Sequence, residues 1–380
     1  MLKNWFNYSA FGLINSMLTA LNALLLAKTF SVEVFGTIAL INAGCMFLTQ
    51  VLPFNALGYV PILYRDVDVN TNKIKKQHYF SILGFMSFVM MPIIIWITMV
   101  YFDDWSLGVL ILLFCLAICF NDFDNSFLVQ NSSSKRYGIA ISISRMTFLC
   151  LILTVSFFEN PSIHLYLIMG MGAEILSAVY RKNIYDINKL FKFEYALSNT
   201  AQRNFILNYG IKYFPLTVLG WVFMFADRFV ISDRLSLVEV AKYAIATTIA
   251  SAVVLFGNAV ANTLFPGIYR LKLDHIRSYF FYLKMQIYLF LGGMFLSLVL
   301  FYVAPYILYL LGRNEYTSLA ELVFILSISF TLQGVNKIPT GFLDANILYL
   351  SKTLSIGVVS IGALFINMYF WKEFSFYFSC

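Results

Sequence analysis

The sequence predicts an all-α membrane protein, a polytopic helical bundle built as two parallel pseudo-repeats of about six helices each. Three observations carry that prediction. The 380 residues are 60% hydrophobic and only 12% charged, with a mean hydropathy of +0.78, whereas about a quarter of the residues of a soluble globular domain are charged. Apolar runs of roughly 20 residues recur without alternation, the length that crosses a bilayer as a helix and not the pattern of an outer-membrane barrel. Finally, the stretch from Ala226 to Arg270 has a weaker copy in the first half of the chain, and internal similarity is the mark of a repeated architecture.

The copy has two blocks. Lys28-Thr29-Phe30-Ser31-Val32-Glu33-Val34 lines up with Arg234-Leu235-Ser236-Leu237-Val238-Glu239-Val240, and Pro61-Ile62-Leu63-Tyr64-Arg65 with Pro266-Gly267-Ile268-Tyr269-Arg270, a shared P-x-x-Y-R after one net residue is lost. Both pairs bracket a hydrophobic segment.

Helices are expected near 8–30, 34–58, 79–101, 106–130, 137–157 and 163–181, then 207–231, 241–265, 280–304, 318–344 and 348–371, eleven spans in all. The first apolar stretch is too long for a signal peptide and lacks a small-residue cleavage site after it, so it reads as a first span. Phe102-Asp103-Asp104-Trp105 and Phe158-Glu159-Asn160-Pro161 are short acidic turns between spans. The eleventh span is followed by too few residues for another crossing, so the second repeat is expected to lack its last helix and to look truncated.

Connections alternate in charge. Of the 26 basic residues, the expected outer connections hold only Lys28, Arg234, Arg313 and Lys372. Basic residues crowd the alternate connections, among them Arg65, Lys73, Lys75, Lys76, Lys135, Arg136, Arg270, Lys272 and Arg277. The positive-inside rule then sets the N-terminus in the cytoplasm. The formal charge of +7 thus follows topology and does not suggest nucleic acid; membrane lipids are the expected surroundings.

The longest polar segment, Arg181 to Arg203, divides the chain into an N-terminal lobe (1–181), a cytoplasmic linker (182–204) and a C-terminal lobe (205–380). Ile184, Ile187, Leu190 and Phe191 can form one face of a helix on the inner leaflet, with Lys182, Lys189 and Lys192 toward anionic headgroups. A solvated linker is the other reading. Six spans precede it, an even number, so the second repeat starts from the same side and the repeats are parallel.

At Asp227-Arg228, the Leu235-Ser236-x-x-Glu239 turn, Tyr243-Ala244 and the Pro266 helix end, the chain resembles the polysaccharide and O-antigen flippase family, part of the multidrug/oligosaccharidyl-lipid/polysaccharide exporter superfamily. The first half carries the matching Ala27-Lys28-x-Phe30-Ser31-x-Glu33-x-Phe35-Gly36. The resemblance covers residues 1–371, and its degenerate motifs point to the superfamily better than to a substrate. It implies two six-helix lobes around a cavity open alternately to either side; an eleven-span chain departs from that pattern. It also implies transfer of an undecaprenyl-pyrophosphate-linked oligosaccharide between leaflets, with other polysaccharide-assembly proteins as further partners. Such cargo cannot cross hydrocarbon unassisted, so a flippase must supply a wet cavity with cations for the phosphates.

Ionisable residues inside spans are costly, roughly 2.5–3.5 kcal/mol each even on insertion scales, and are therefore functional candidates. Arg145 offers a fixed charge and a planar fork suited to phosphate; its alternative is a structural pair with Glu174, Asp122 or Asp124. Asp122 and Asp124 close the fourth span, and aligning Phe127-Leu128 with Phe342-Leu343 sets Asp122 opposite Lys337. Lys337 and Arg228 join Arg145 as expected substrate-binding residues. Asp122, Asp124 and Glu174 are expected to take the coupling proton or cation. An inter-lobe Asp122–Lys337 ion pair, a packed Glu174 and an interfacial Arg228 are the structural alternatives.

Cys45, Cys115, Cys119, Cys150 and Cys380 form no ligand cluster with His78, His164 or His275 and read as packing residues, so neither metal nor cofactor is expected. Pro92, Pro215 and Pro339 each break one helical hydrogen bond and mark bending points, while Gly292-Gly293 allows close helix approach. A drug or cation antiporter of the same superfamily is the second reading. A membrane polysaccharide polymerase or glycosyltransferase is the third, against which stand the missing glycine-rich phosphate loop and nucleophile–base pair; no enzymatic activity is expected.

Overall fold

In the computed structural model the described residues are 2–54, 69–130, 134–181, 201–254, 257, 276–312, 316, 318–345 and 358. They contain helices only: α1 (Leu2–Thr29), α2 (Val32–Val51), α3 (Val69–Phe102), α4 (Trp105–Gln130), α5 (Ser134–Val155), α6 (Ile163–Tyr180), α7 (Ala201–Arg234), α8 (Leu237–Ala250), α9 (Ile276–Leu310) and α10 (Ala320–Ala345). Eight of these are long and apolar enough to cross a bilayer, and nine if the two limbs of α7 count as one span. The chain is therefore a polytopic helical bundle. The eleventh expected span, the linker residues 182–200, both P-x-x-Y-R blocks and Cys380 lie outside the described residues.

Helices satisfy every backbone group internally, which is why they are the form an apolar chain takes in lipid. Side chains divide by face. Phe88, Trp96, Tyr101, Phe157, Phe295 and Tyr306 are exposed, while Phe30, Ile38, Tyr79, Phe80, Leu83, Ile152 and Leu167 are enclosed in the core. Small polar side chains inside spans close onto their own helix: Ser87 donates to the Leu83 carbonyl at 2.6 Å and Thr98 to that of Ile94 at 3.1 Å.

Helix pairs of the two halves correspond. Helix α3 packs on α4 as α9 does on α10, α2 on α4 as α8 on α10, and across the middle α2 meets α7 as α8 meets α1. The centre is the α2–α8 pair. Each starts from a serine N-cap in extended backbone: Ser31 Oγ accepts the Val34 amide at 3.4 Å, and Ser236 Oγ accepts that of Glu239 at 3.3 Å. The caps offer a second register for the expected repeat. Matching Val-Glu-Val pairs Ser31 with Leu237, whereas the caps pair Ser31 with Ser236, the same spacing that separates Pro61 from Pro266. No residue is then lost between the two blocks.

Several expected boundaries move. Residues 201–204, the last of the expected linker, are helical and lead into α7. Helix α8 has a turn at Ser251 after Ala250, residues 252–254 continue helical, and the expected end at 265 lies outside the described residues. Pro92, Pro215 and Pro339 lie inside helices, as does Pro305. The recorded 47° bend of α7 falls between Gly210–Val222 and Met224–Arg234, beyond the turn where Pro215 removes its hydrogen bond. Gly293 does mark a close approach, since a β-carbon there would stand 2.5 Å from Thr331 of α10.

Of the described cysteines Cys45, Cys115 and Cys119 are buried and Cys150 is exposed. Cys115 and Cys119, one turn apart on α4, point their thiols at the carbonyls of Cys45 (3.9 Å) and Thr49 (3.5 Å), one turn apart on α2. Equal spacing in the same sense means the two helices run parallel.

Candidate functional site

Two polar clusters sit among the apolar helices. The first joins the ends of α4 and α6 to α5. On α4, Asn121 and Asn125 lie one turn apart and share a face, with Asp124 beside them. Asn121 and Asp124 are buried. Glu174 of α6 accepts from Ser144 Oγ of α5 at 2.7 Å through Oε1, and from Asn121 Nδ2 at 2.5 Å through Oε2. The same Asn121 amide reaches the Glu174 carbonyl at 2.8 Å, and Arg181, capping α6, donates from Nη1 to the Asn121 carbonyl at 2.8 Å. Asp122 is hydrogen-bonded by Asn125 and lies in the fields of Glu174, Arg181 and Arg145.

Arg145 follows Ser144 by one residue, so it projects about 100° away around α5. Its carbonyl accepts from Asn22 of α1 at 3.1 Å. Among the described residues its guanidinium forms no ion pair. The structural alternative, a pair with Glu174, is replaced by Glu174 bonding to the two neutral donors. Asn15 extends this polar strip along α1, accepting from Ser142 Oγ at 2.8 Å, and Tyr166 of α6 donates to Asn42 of α2 at 2.6 Å.

The second cluster lies between α7, α8 and α2. Asp227 accepts its own neighbour's amide, Arg228 N, at 2.8 Å through Oδ1, and the Tyr243 hydroxyl through Oδ2. Arg228 crosses to α2, where Nη1 donates to the Ala39 carbonyl at 3.3 Å, and its guanidinium lies 5.4 Å from the centre of the Phe225 ring. Two turns earlier on α7, Trp221 Nε1 donates to the Ala43 carbonyl at 2.7 Å. As the α7 number rises the α2 number falls, so these helices are antiparallel. Arg228 therefore spans the seam between the halves.

The structure gathers Asp122, Asp124, Glu174 and Arg145 into one half, puts Arg228 in the central seam, and places Lys337 on α10, which packs on α9 and α8 and not on α4. The Asp122–Lys337 pair expected from the repeat does not form: the charges around Asp122 are Glu174, Arg181 and Arg145. A cavity lies elsewhere, between α8, α9 and α10, lined by Val253, Gly257, Leu289, Gly293, Phe330, Thr331, Gly334 and Val335. Its lining carries no charge.

Sequence reasoning missed Arg181, Ser144 and Asn22 as members of the cluster. In the sequence Arg181 stands out only as the start of the polar segment 181–203. The missed signal was polar residues recurring at helical spacing inside apolar spans, Asn15 with Asn22 two turns apart and Asn121 with Asn125 one turn apart. In comparisons with known proteins, no family model, no curated protein and no solved structure matches the chain.

Proposed function

We propose that this chain is a transporter of the bacterial inner membrane, with a cytoplasmic N-terminus, that moves an undecaprenyl-pyrophosphate-linked oligosaccharide from the cytoplasmic to the periplasmic leaflet by alternating access. The observation that carries the reading is Arg145, a permanent cation on a membrane helix whose guanidinium pairs with no carboxylate among the described residues. A cation within a membrane span is costly unless a counter-charge arrives, and a pyrophosphate supplies one in the fork geometry that arginine matches. Glu174 and Asp122 stand close enough to feel the same charge and serve as the proton or cation carriers that reset the cycle. Arg228 and Lys337 complete the cationic lining as the lobes rock, and no covalent step is assigned.

Deleting the gene and complementing with Arg145→Ala and Arg145→Lys tests the reading. Expected are loss of surface glycan and accumulation of lipid-linked precursor with alanine, and partial rescue with lysine. Wild-type glycan in the deletion strain overturns it. The acidic cluster of Asp122, Asp124 and Glu174 favours a second reading, a drug or cation antiporter; unchanged glycan with altered sensitivity to cationic drugs would select it.

A further inference from the structure

We infer that Asp104, Ser106 and His164 form a proton-sensitive latch, which ties the α3–α4 hairpin to the start of α6 at one end of the bundle. The chain reverses between α3 and α4 over Asp103 and Asp104, with Asp103 in the left-handed region at φ 53°. Asp104 then caps α4. Its Oδ1 accepts the amides of Ser106 (2.8 Å) and Leu107 (3.3 Å) and the Ser106 hydroxyl (2.7 Å).

The other oxygen faces a different helix. Asp104 Oδ2 lies 2.8 Å from His164 Nε2, in the first turn of α6, and Ser106 Oγ lies 3.0 Å from the same nitrogen. A carboxylate oxygen that close requires a proton on Nε2. The Ser106 proton is already committed to Oδ1, so its oxygen accepts as well and the Nε2 proton is shared. Serine and aspartate meet at one ring nitrogen, which rules out the relay order of a nucleophile, base and orienting acid. Nδ1 is the remaining ring nitrogen: with it protonated the contact is an ion pair, and without it a neutral ring donates to a carboxylate. Histidine is the side chain suited to such a change near neutral pH.

Side-chain exposures of 38% for His164 and 29% for Asp104 give water access to the ring. Other charges around it are few. Helix α6 packs on α4, α5 and α2: α4 brings Ser106, α5 brings Arg145, whose field reaches Tyr166 of α6 itself, and α2 brings Asn42, bonded to Tyr166. Asp103 and Glu159 are exposed on the two adjoining turns. When the ring is charged, the α3–α4 turn is held to α6; when it is neutral, the hold weakens. The inference is independent of cargo, and the proposed orientation decides only which compartment's acidity is sensed.

Hydrogen exchange of the full chain in lipid nanodiscs tests it, comparing about pH 5.5 with about pH 8 after correction for intrinsic exchange. Amides of residues 105–108 and 163–166 are read. Wild type should exchange about two- to fivefold more slowly at the acid end, the range a partly exposed ion pair supports. His164→Gln keeps a donor that does not titrate and should lose the pH dependence while retaining protection near the wild-type level at the alkaline end. His164→Ala should lose protection at both. Equal wild-type protection at both ends, a pH dependence that survives in His164→Gln, or full protection in His164→Ala overturns the latch.

Discussion

Gly36 of α2 and Leu237 of α8 meet at the centre of the molecule, where a β-carbon added to Gly36 would lie 2.0 Å from the Leu237 carbonyl oxygen. The obstacle is backbone at the start of a capped helix, which cannot rotate away. Close approach through a small residue is how membrane helices gain contact when lipid offers them no hydrophobic drive.

Gly36→Ala should therefore force α2 and α8 apart. Overpacking of this kind costs about 1–3 kcal/mol, visible as a lower melting temperature of the purified protein in detergent. Gly44→Ala is the control, since nothing lies within 4 Å of its added carbon, and it should melt at or above wild type. Equal effects of the two substitutions would remove the α2–α8 contact from the account.

Trp221→Phe keeps the ring contact with Phe47, whose centroid is 5.0 Å away, and removes the donor to Ala43. One buried hydrogen bond is worth about 0.5–1.5 kcal/mol, and the loss should add to that of Arg228→Met, which frees the Ala39 carbonyl. A double-mutant cycle on unfolding reads the coupling. If neither change lowers stability, the two carbonyl ties do not hold the seam.

Glu174→Gln separates charge from structure. Its amide can still accept at one end, and the Ser144 hydroxyl can turn to accept at the other, so melting should fall by no more than about 1 kcal/mol. Transport, read as surface glycan, should fall at least tenfold if Glu174 carries the coupling charge, an effect of about 1.4 kcal/mol or more on the rate. Wild-type glycan with a stable protein would leave Glu174 a packing residue.

Asp104 gives a second pH effect, of opposite sign to that of a histidine gaining a partner. The Ser106 hydroxyl holds its carboxyl below the usual carboxylate range, helped by the amides of Ser106 and Leu107 and by His164, against a smaller upward push from burial. A depressed carboxyl stabilises the folded state above its unfolded pKa of about 3.9, and that contribution disappears as pH falls through the lower folded value. Protection of the Ser106 and Leu107 amides should accordingly drop below about pH 4 in wild type and be lower, without that step, in Asp104→Asn. Because the group is only half-buried, screening by water keeps the effect modest.

Removing the caps tests whether the starts of α2 and α8 are energetically equivalent. Ser31→Ala and Ser236→Ala should each cost about 1 kcal/mol, with Ser→Asp restoring most of it, since aspartate accepts from the same amide. A cost at only one site would show that the two helix starts are not equivalent in energy.

What the sequence determines by itself here is one-dimensional: apolar runs long enough to span, acidic turns at Asp103-Asp104 and Glu159, and a chain too hydrophobic for water. Hydropathy acts residue by residue, so its sum along a segment needs no partner. Tertiary structure decided the rest. Asp122 was matched to Lys337 by counting along the repeats, yet it lies with Asn125, Glu174 and Arg181, because a charge in low dielectric takes whatever donors the packed helices bring within reach. That Ser31 and Ser236 both cap helices likewise shows only in the structure, since it takes an amide hydrogen bond to fix where a helix starts. Which face of α5 holds Arg145, and that Arg228 ends on an α2 carbonyl, depend on how one helix is rotated against its neighbour, a quantity that no single segment contains.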